Sequence, residues 1–85
     1  MLSYYYIVCR SLTYAQRTET ALKKDGIHGS VLRAPKTISS SGCSYAVRIP
    51  EHQLSRALAR MNQEGLSPVR IFLGEADGAF REVDP

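Results

Sequence analysis

Long apolar runs are missing from this 85-residue sequence. None approaches the roughly 18 residues that a membrane-spanning helix requires. Cysteine is scarce, with only two, Cys9 and Cys43. Two thiols do not make a disulfide framework, and they cannot close a four-ligand zinc site by themselves. His28 and His52 would have to join them, but the order of elements below keeps those histidines apart, both as surface residues. Also missing are a phosphate-cradling Walker loop, a dinucleotide fingerprint, a nucleophile elbow and a zinc-protease helix motif. No carboxylate pair for general acid–base work can be singled out. The opening Met1-Leu2-Ser3-Tyr4 lacks the basic-then-apolar layout of a signal peptide. These absences argue against a metal, a cofactor, a membrane partner or an enzyme of a familiar hydrolytic or nucleotide-using class. They place the chain by expectation in the cytosol with reduced thiols.

What is present is the composition of one small globular domain. The chain is 44% hydrophobic and 22% charged, well outside the disordered regime. The formal charge of +3 is unevenly spread: residues 1–73 carry a net +6 and residues 74–85 a net −3. A basic body of 1–73 with an acidic C-terminal tail of 74–85 suits an anionic partner, or is a solvated surface with a frayed end.

Tyr4 to Arg10 is aromatic and β-branched on both faces and reads as a central strand. Thr13 with Gln16 forms a capping-box pattern. Ala15, Thr18, Ala21 and Leu22 follow at helical spacing, and Gly26 supplies a left-handed stop. Ile27 to Ala34 reads as a second strand, and Ser44 to Ile49 alternates as a third. Pro50 is placed to open a second helix with the stripe Leu54, Ala57, Leu58 and Met61, ended by Gly65. Val69 to Leu73 reads as the fourth strand. Two strand–helix–strand units in tandem predict an α+β, ferredoxin-like βαββαβ domain. Its four-stranded antiparallel sheet would have the order 4-1-3-2, with both helices on one face. Phe80 and Val83 could pin the tail to the other face.

Between strands two and three lies Pro35-Lys36-Thr37-Ile38-Ser39-Ser40-Ser41-Gly42-Cys43-Ser44, small, hydroxyl-rich and without apolar period. In the predicted fold, strand three starts beside the end of strand one. The first helix begins at the same rim, where its free N–H groups and positive dipole end favour an anion. Cys43, Cys9, Arg10, Ser11, Thr13 and Lys36 should therefore converge. Such surroundings lower a thiol pKa from about 8.5 into the ~3.5–7.5 range. Ser41, Ser44 and Gly42 could donate hydrogen bonds to an anionic sulfur. The alternative for Cys43 is a small buried strand residue, and for Cys9 it is a core residue continuing the Tyr5-Ile7 face. The functional alternative makes Cys9 a resolving thiol for Cys43.

The order Tyr5-Tyr6-Ile7-Val8, Arg10-Ser11, Ala21-Leu22-Lys23, Gly26-Ile27, Pro35, Ser39-Ser40-Ser41-Gly42-Cys43, Ala46-Val47-Arg48-Ile49 and Leu54 resembles the selenium/sulfur carrier-like family, the domain of unknown function 3343. The resemblance covers about residues 3–73. It implies a cytosolic carrier whose Cys43, with Gly42 beside it, holds a persulfide or perselenide between a donor such as a cysteine desulfurase and an acceptor enzyme. Family members often have glycine after that cysteine, where this chain has Ser44.

Two other readings compete. In the first, Tyr4, Tyr6 and Tyr45 would stack RNA bases as in an RRM, which shares the ferredoxin-like sheet. No stretch matches the RRM third-strand pattern, and Tyr45 shares its face with Val47 and Ile49, so nucleic acid is disfavoured. In the second, the chain is a non-catalytic, homodimeric interaction or regulatory module that buries the Tyr4-Tyr6-Val8 face.

Overall fold

A computed structural model describes residues 3–35, 45–68, 70–75 and 78–83. The stretch containing Lys36, Ser41, Gly42, Cys43 and Ser44 lies outside the described residues. The elements run β1 (Tyr4–Cys9), α1 (Leu12–Lys23), β2 (Ser30–Arg33), β3 (Tyr45–Pro50), a 3-10 turn (Glu51–Gln53), α2 (Leu54–Gln63), β4 (Arg70–Gly74) and β5 (Phe80–Val83).

The strands form one antiparallel sheet in the order β2-β3-β1-β4-β5. The central position of β1 follows from its composition. Flanked by β3 and β4, it exposes no edge, so its residues must be apolar on both sides. Ile7 and Cys9 face the helices, while Val8 faces away, and all three are buried.

The expected order 4-1-3-2 is contained in this sheet, but the four-strand count is corrected to five. The added strand comes from the segment read as an acidic tail. Gly78, at φ +88°, allows a tight reversal in which Gly78 N–H donates to Glu75 O and Glu75 N–H donates to Ala79 O. The returning strand places Phe80 against Tyr6, edge to face at 5.2 Å. It is also pinned by ion pairs, Arg70 to Glu82 at 3.8 Å and Arg81 to Glu75 at 3.6 Å. Phe80 thus docks on the face away from the helices, whereas Val83 pairs with Ile71 on the other.

Both helices pack on one face, where Ile7, Leu22, Ile27, Val47, Ile49 and Met61 form the main core. The first helix is capped two residues earlier than expected. Ser11, in extended conformation, accepts a hydrogen bond from Tyr14 N–H at 3.1 Å, so Thr13 lies inside the helix. Ser11→Ala is expected to lower stability by about 1 kcal/mol, read as a drop in the urea midpoint. Gly26 and Gly65 follow the helices with φ of +72° and +73°, the left-handed stops that only glycine adopts without strain. Pro50 closes β3 and leads into the 3-10 turn, so the second helix starts later, at Leu54.

The C-terminal ends of the helices are tied by charge. Arg60 donates to both carboxylate oxygens of Asp25, at 2.8 and 3.1 Å. Lys24 reaches Glu64 at 3.1 Å. The Arg60 hydrogen bonds hold the Asp25 carboxyl below its usual range. No helix among the described residues is long and apolar enough to cross a membrane.

Candidate functional site

One rim of the sheet gathers several chain ends. Cys9, the last residue of β1, pairs with Tyr45, the first of β3. Arg33, the last of β2, pairs with the same Tyr45 from the other side. The segment carrying Cys43 therefore leaves and rejoins the sheet at this rim. The first helix starts there too, two residues after Arg10. Arg70, opposite Val8, opens β4 at the same end.

The rim is cationic and its cations are placed by aromatic rings. The Arg10 guanidinium lies over Tyr14 at 5.1 Å, and that of Arg33 over Tyr45 at 5.9 Å. Stacking on a ring face is favourable for a guanidinium. The hydroxyl of Tyr14 accepts a hydrogen bond from Ser67 N–H, fixing the ring against the segment that precedes β4. Within α1, Ala15 N–H donates to Ser11 O and Tyr14 N–H to the Ser11 hydroxyl. The N–H groups of Leu12 and Thr13 belong to the first helical turn and have no intrahelical acceptor. Such a rim stabilises an anion through charge, dipole and N–H donors together.

Of the residues expected here, Arg10, Ser11 and Thr13 are brought together, with Arg10 and Thr13 exposed and Ser11 half-buried. Cys9 is beside them but turned into the helix-covered core, with no exposed surface. Its Sγ lies 3.6 Å from Ile7 O and 4.0 Å from Thr18 Oγ1. Burial pushes its pKa up, and the Thr18 hydrogen bond and the Arg10 charge only partly oppose this. Its surroundings favour the thiol over the thiolate that sulfur exchange uses.

The elevated Cys9 pKa predicts alkaline sensitivity. In the unfolded chain this thiol ionises first, so the stability linked to it is complete below its unfolded pKa. That stability is lost as pH rises from there through the folded value. Urea midpoints measured from pH 7 to about 10 should decline less in Cys9→Ala than in the parent. Iodoacetamide should reach Cys9 only on unfolding.

Arg33, Tyr14 and Tyr45 were not singled out as rim residues by sequence reasoning. The signal was there, because a strand that ends at Arg33 and pairs with one starting after Ser44 must set Arg33 beside Tyr45. Tyr45 sits on the helix-covered face with Val47 and Ile49. On the opposite face Tyr4 lies under Arg48 at 5.0 Å, and Tyr6 lies against Phe80. Val8, beside them, is 3% exposed. His28 and His52 are both exposed.

The family model described as "Putative Se/S carrier protein-like" matches residues 4–73, from the first residue of β1 to Leu73 in β4. No curated protein and no solved structure matches the chain.

Proposed function

The chain belongs to the Se/S carrier protein-like family, and we propose that it is a thiol carrier of the cytosol. It would take one sulfur or selenium atom onto Cys43 from a donor such as a cysteine desulfurase, and yield it to an acceptor enzyme. The observation that carries this reading is the pairing of Cys9 with Tyr45, two residues downstream of Cys43. Two peptide units span at most about 7 Å. That short reach supports a place for Cys43 near the rim where Arg10, Arg33 and the start of α1 lie.

The chemistry is an exchange with no net oxidation. The Cys43 thiolate attacks the outer sulfur of the donor's cysteine persulfide. A new S–S bond forms at Cys43, and the donor's own S–S bond breaks. The donor cysteine departs as thiolate and takes up the proton that Cys43 shed. Release repeats the step, with the acceptor's nucleophile attacking the outer sulfur and Cys43 leaving as thiolate. Selenium follows the same course. The rim cations and helix dipole favour the Cys43 anion both before attack and on departure. Exchange is fastest when the attacking thiol's pKa is near ambient pH. Lys36 and the donors of Ser41, Gly42 and Ser44 would add to the same stabilisation.

Intact-mass analysis after incubation with a cysteine desulfurase and cysteine tests the proposal. A gain of one sulfur, reversed by a reducing thiol and mapped to Cys43, supports it. No gain under conditions that charge the desulfurase counts against it. An iodoacetamide rate profile for Cys43 matching that of free cysteine would remove the role given to the rim. A reading as RNA binder has less support, because one of the three tyrosines it invokes, Tyr45, is packed under the helices, away from the face of Tyr4 and Tyr6.

A further inference from the structure

Tyr14 stands on the first turn of α1, where several parts of the chain meet it. Its N–H donates to the Ser11 hydroxyl at 3.1 Å, and its carbonyl accepts from the Thr18 hydroxyl at 3.0 Å. Its own hydroxyl accepts from Ser67 N–H, and its ring packs against the main core. These contacts hold the ring, and the Arg10 guanidinium lies over it at 5.1 Å. Arg10 is exposed and makes no ion pair among the described residues. Arg70, by contrast, is paired with Glu82 at 3.8 Å. An exposed arginine loses rotamer freedom when it is held in one place, and stacking on an aromatic face offsets that loss. The Arg10 charge is felt at this rim. Burial raises the Cys9 pKa, while the Thr18 hydrogen bond and the Arg10 charge oppose the rise.

We propose that Tyr14 is a positioning residue for sulfur exchange, acting through Arg10, whose guanidinium it keeps within range of the Cys43 thiolate. This role rests on the carrier reading and adds which side chain sets the acidity of the attacking thiol. Arg10 follows Cys9, which pairs with Tyr45, and two peptide units from Tyr45 to Cys43 span at most about 7 Å. The other charged side chains at this end of the sheet are Arg33 and Arg70, with Arg17 on the second turn of α1. Arg33 lies over Tyr45 and Arg70 is paired with Glu82, so Tyr14 bears on Arg10 alone of these. A unit charge about 8 Å from a thiolate in mostly aqueous surroundings lowers the thiol pKa by about 0.5 unit. A guanidinium free to roam over the surface would supply less.

The test follows iodoacetamide labelling of Cys43 against pH, mapped by peptide mass so that Cys9 is scored separately. Arg10→Gln and Tyr14→Leu should each raise the labelling midpoint by about 0.5 unit. The double variant should rise no further, because both changes remove the same placed charge. Tyr14→Phe keeps the ring and should stay nearer to the parent than Tyr14→Leu. At pH 7, Tyr14→Leu should take up sulfur about twofold more slowly, whether from a cysteine desulfurase with cysteine or from inorganic polysulfide. Its thiolate is about threefold scarcer, but each thiolate is a better nucleophile. Circular dichroism and urea unfolding check that the variants fold. Arg10→Lys, at an exposed residue, tests the same point should Tyr14→Leu not fold. An ammonium keeps the charge but not the planar stack, so its midpoint should lie above the parent's. A midpoint equal to the parent's would mean that the charge needs no ring to place it, and would overturn the proposal. It is likewise overturned if Tyr14→Leu labels with the parent's midpoint, or shifts it equally with and without Arg10. The carrier reading stands in those cases provided that Cys43 of the parent gains one sulfur. If the parent gains none from either source, the carrier reading falls, and the exchange role of Tyr14 falls with it.

Discussion

Cys43→Ser is expected to abolish sulfur loading from a desulfurase and cysteine, reducing the mass gain to background. A serine hydroxyl does not ionise near neutral pH, and it cannot form the S–S bond on which exchange depends. The loss should be complete because the described alternative, Cys9, has no exposed surface and a pKa raised by burial. Full loss at Cys43 is therefore a statement about two sulfurs. One is the proposed carrier thiol, two residues before the start of β3, and the other is buried beneath a helix. A chain that acted only as an interaction module would be indifferent to the change, and its partner binding would survive intact. Loading of the serine variant at Cys9 would overturn the assignment. Circular dichroism and the urea midpoint should be recorded alongside, so that a folding defect is not read as a chemical one.

Ile7→Ala is expected to cost about 3–4 kcal/mol, the range for removing a large aliphatic side chain from a packed interior. Ile7 has no exposed surface and belongs to the middle strand, between Val47 on β3 and Ile71 on β4. Its loss opens a cavity where neighbours on both sides are held by backbone pairing and cannot collapse inward. For a domain of this length, total stability is on the order of 4–13 kcal/mol. The substitution therefore removes a large share of it. Urea unfolding should show a lower midpoint with an unchanged slope. A change under about 1 kcal/mol would mean that the core is looser than its burial indicates.

Much of this architecture was legible because local signals agreed with global ones. Tyr4 to Cys9 is apolar on both faces, which suits only a strand with neighbours on both sides and a layer above. Gly26 and Gly65 marked the helix ends because a positive φ leaves little other choice. Where the reading slipped, two physical demands competed. Thr13 resembled a cap, but Ser11 was nearer the strand end and its hydroxyl took the Tyr14 N–H first. Ile27 looked like strand but is core-facing coil, since β2 pairs with β3 only from Ser30 onward. The fifth strand was obscured by its charges. Glu82 and Arg81 looked like solvated tail residues, and only the ion pairs to Arg70 and Glu75 reveal them as edge-strand neighbours. At the rim, Arg10, Ser11 and Thr13 followed from topology. Arg33 beside Tyr45 was implied by the strand ends, whereas Arg10 over Tyr14 required knowing which ring the guanidinium lies on.

The place of β5 has an electrical consequence. The helix α1 packs over β1, β2 and β3, whereas β5 borders β4 at the other side of the sheet. The acids Glu75 and Glu82 are thus held away from α1 and paired with Arg81 and Arg70, so they do little to cancel the positive potential around Arg10 and Arg17. An anionic group approaching the sheet from the α1 side would therefore meet Arg10 and Arg17 before it met either of these acids.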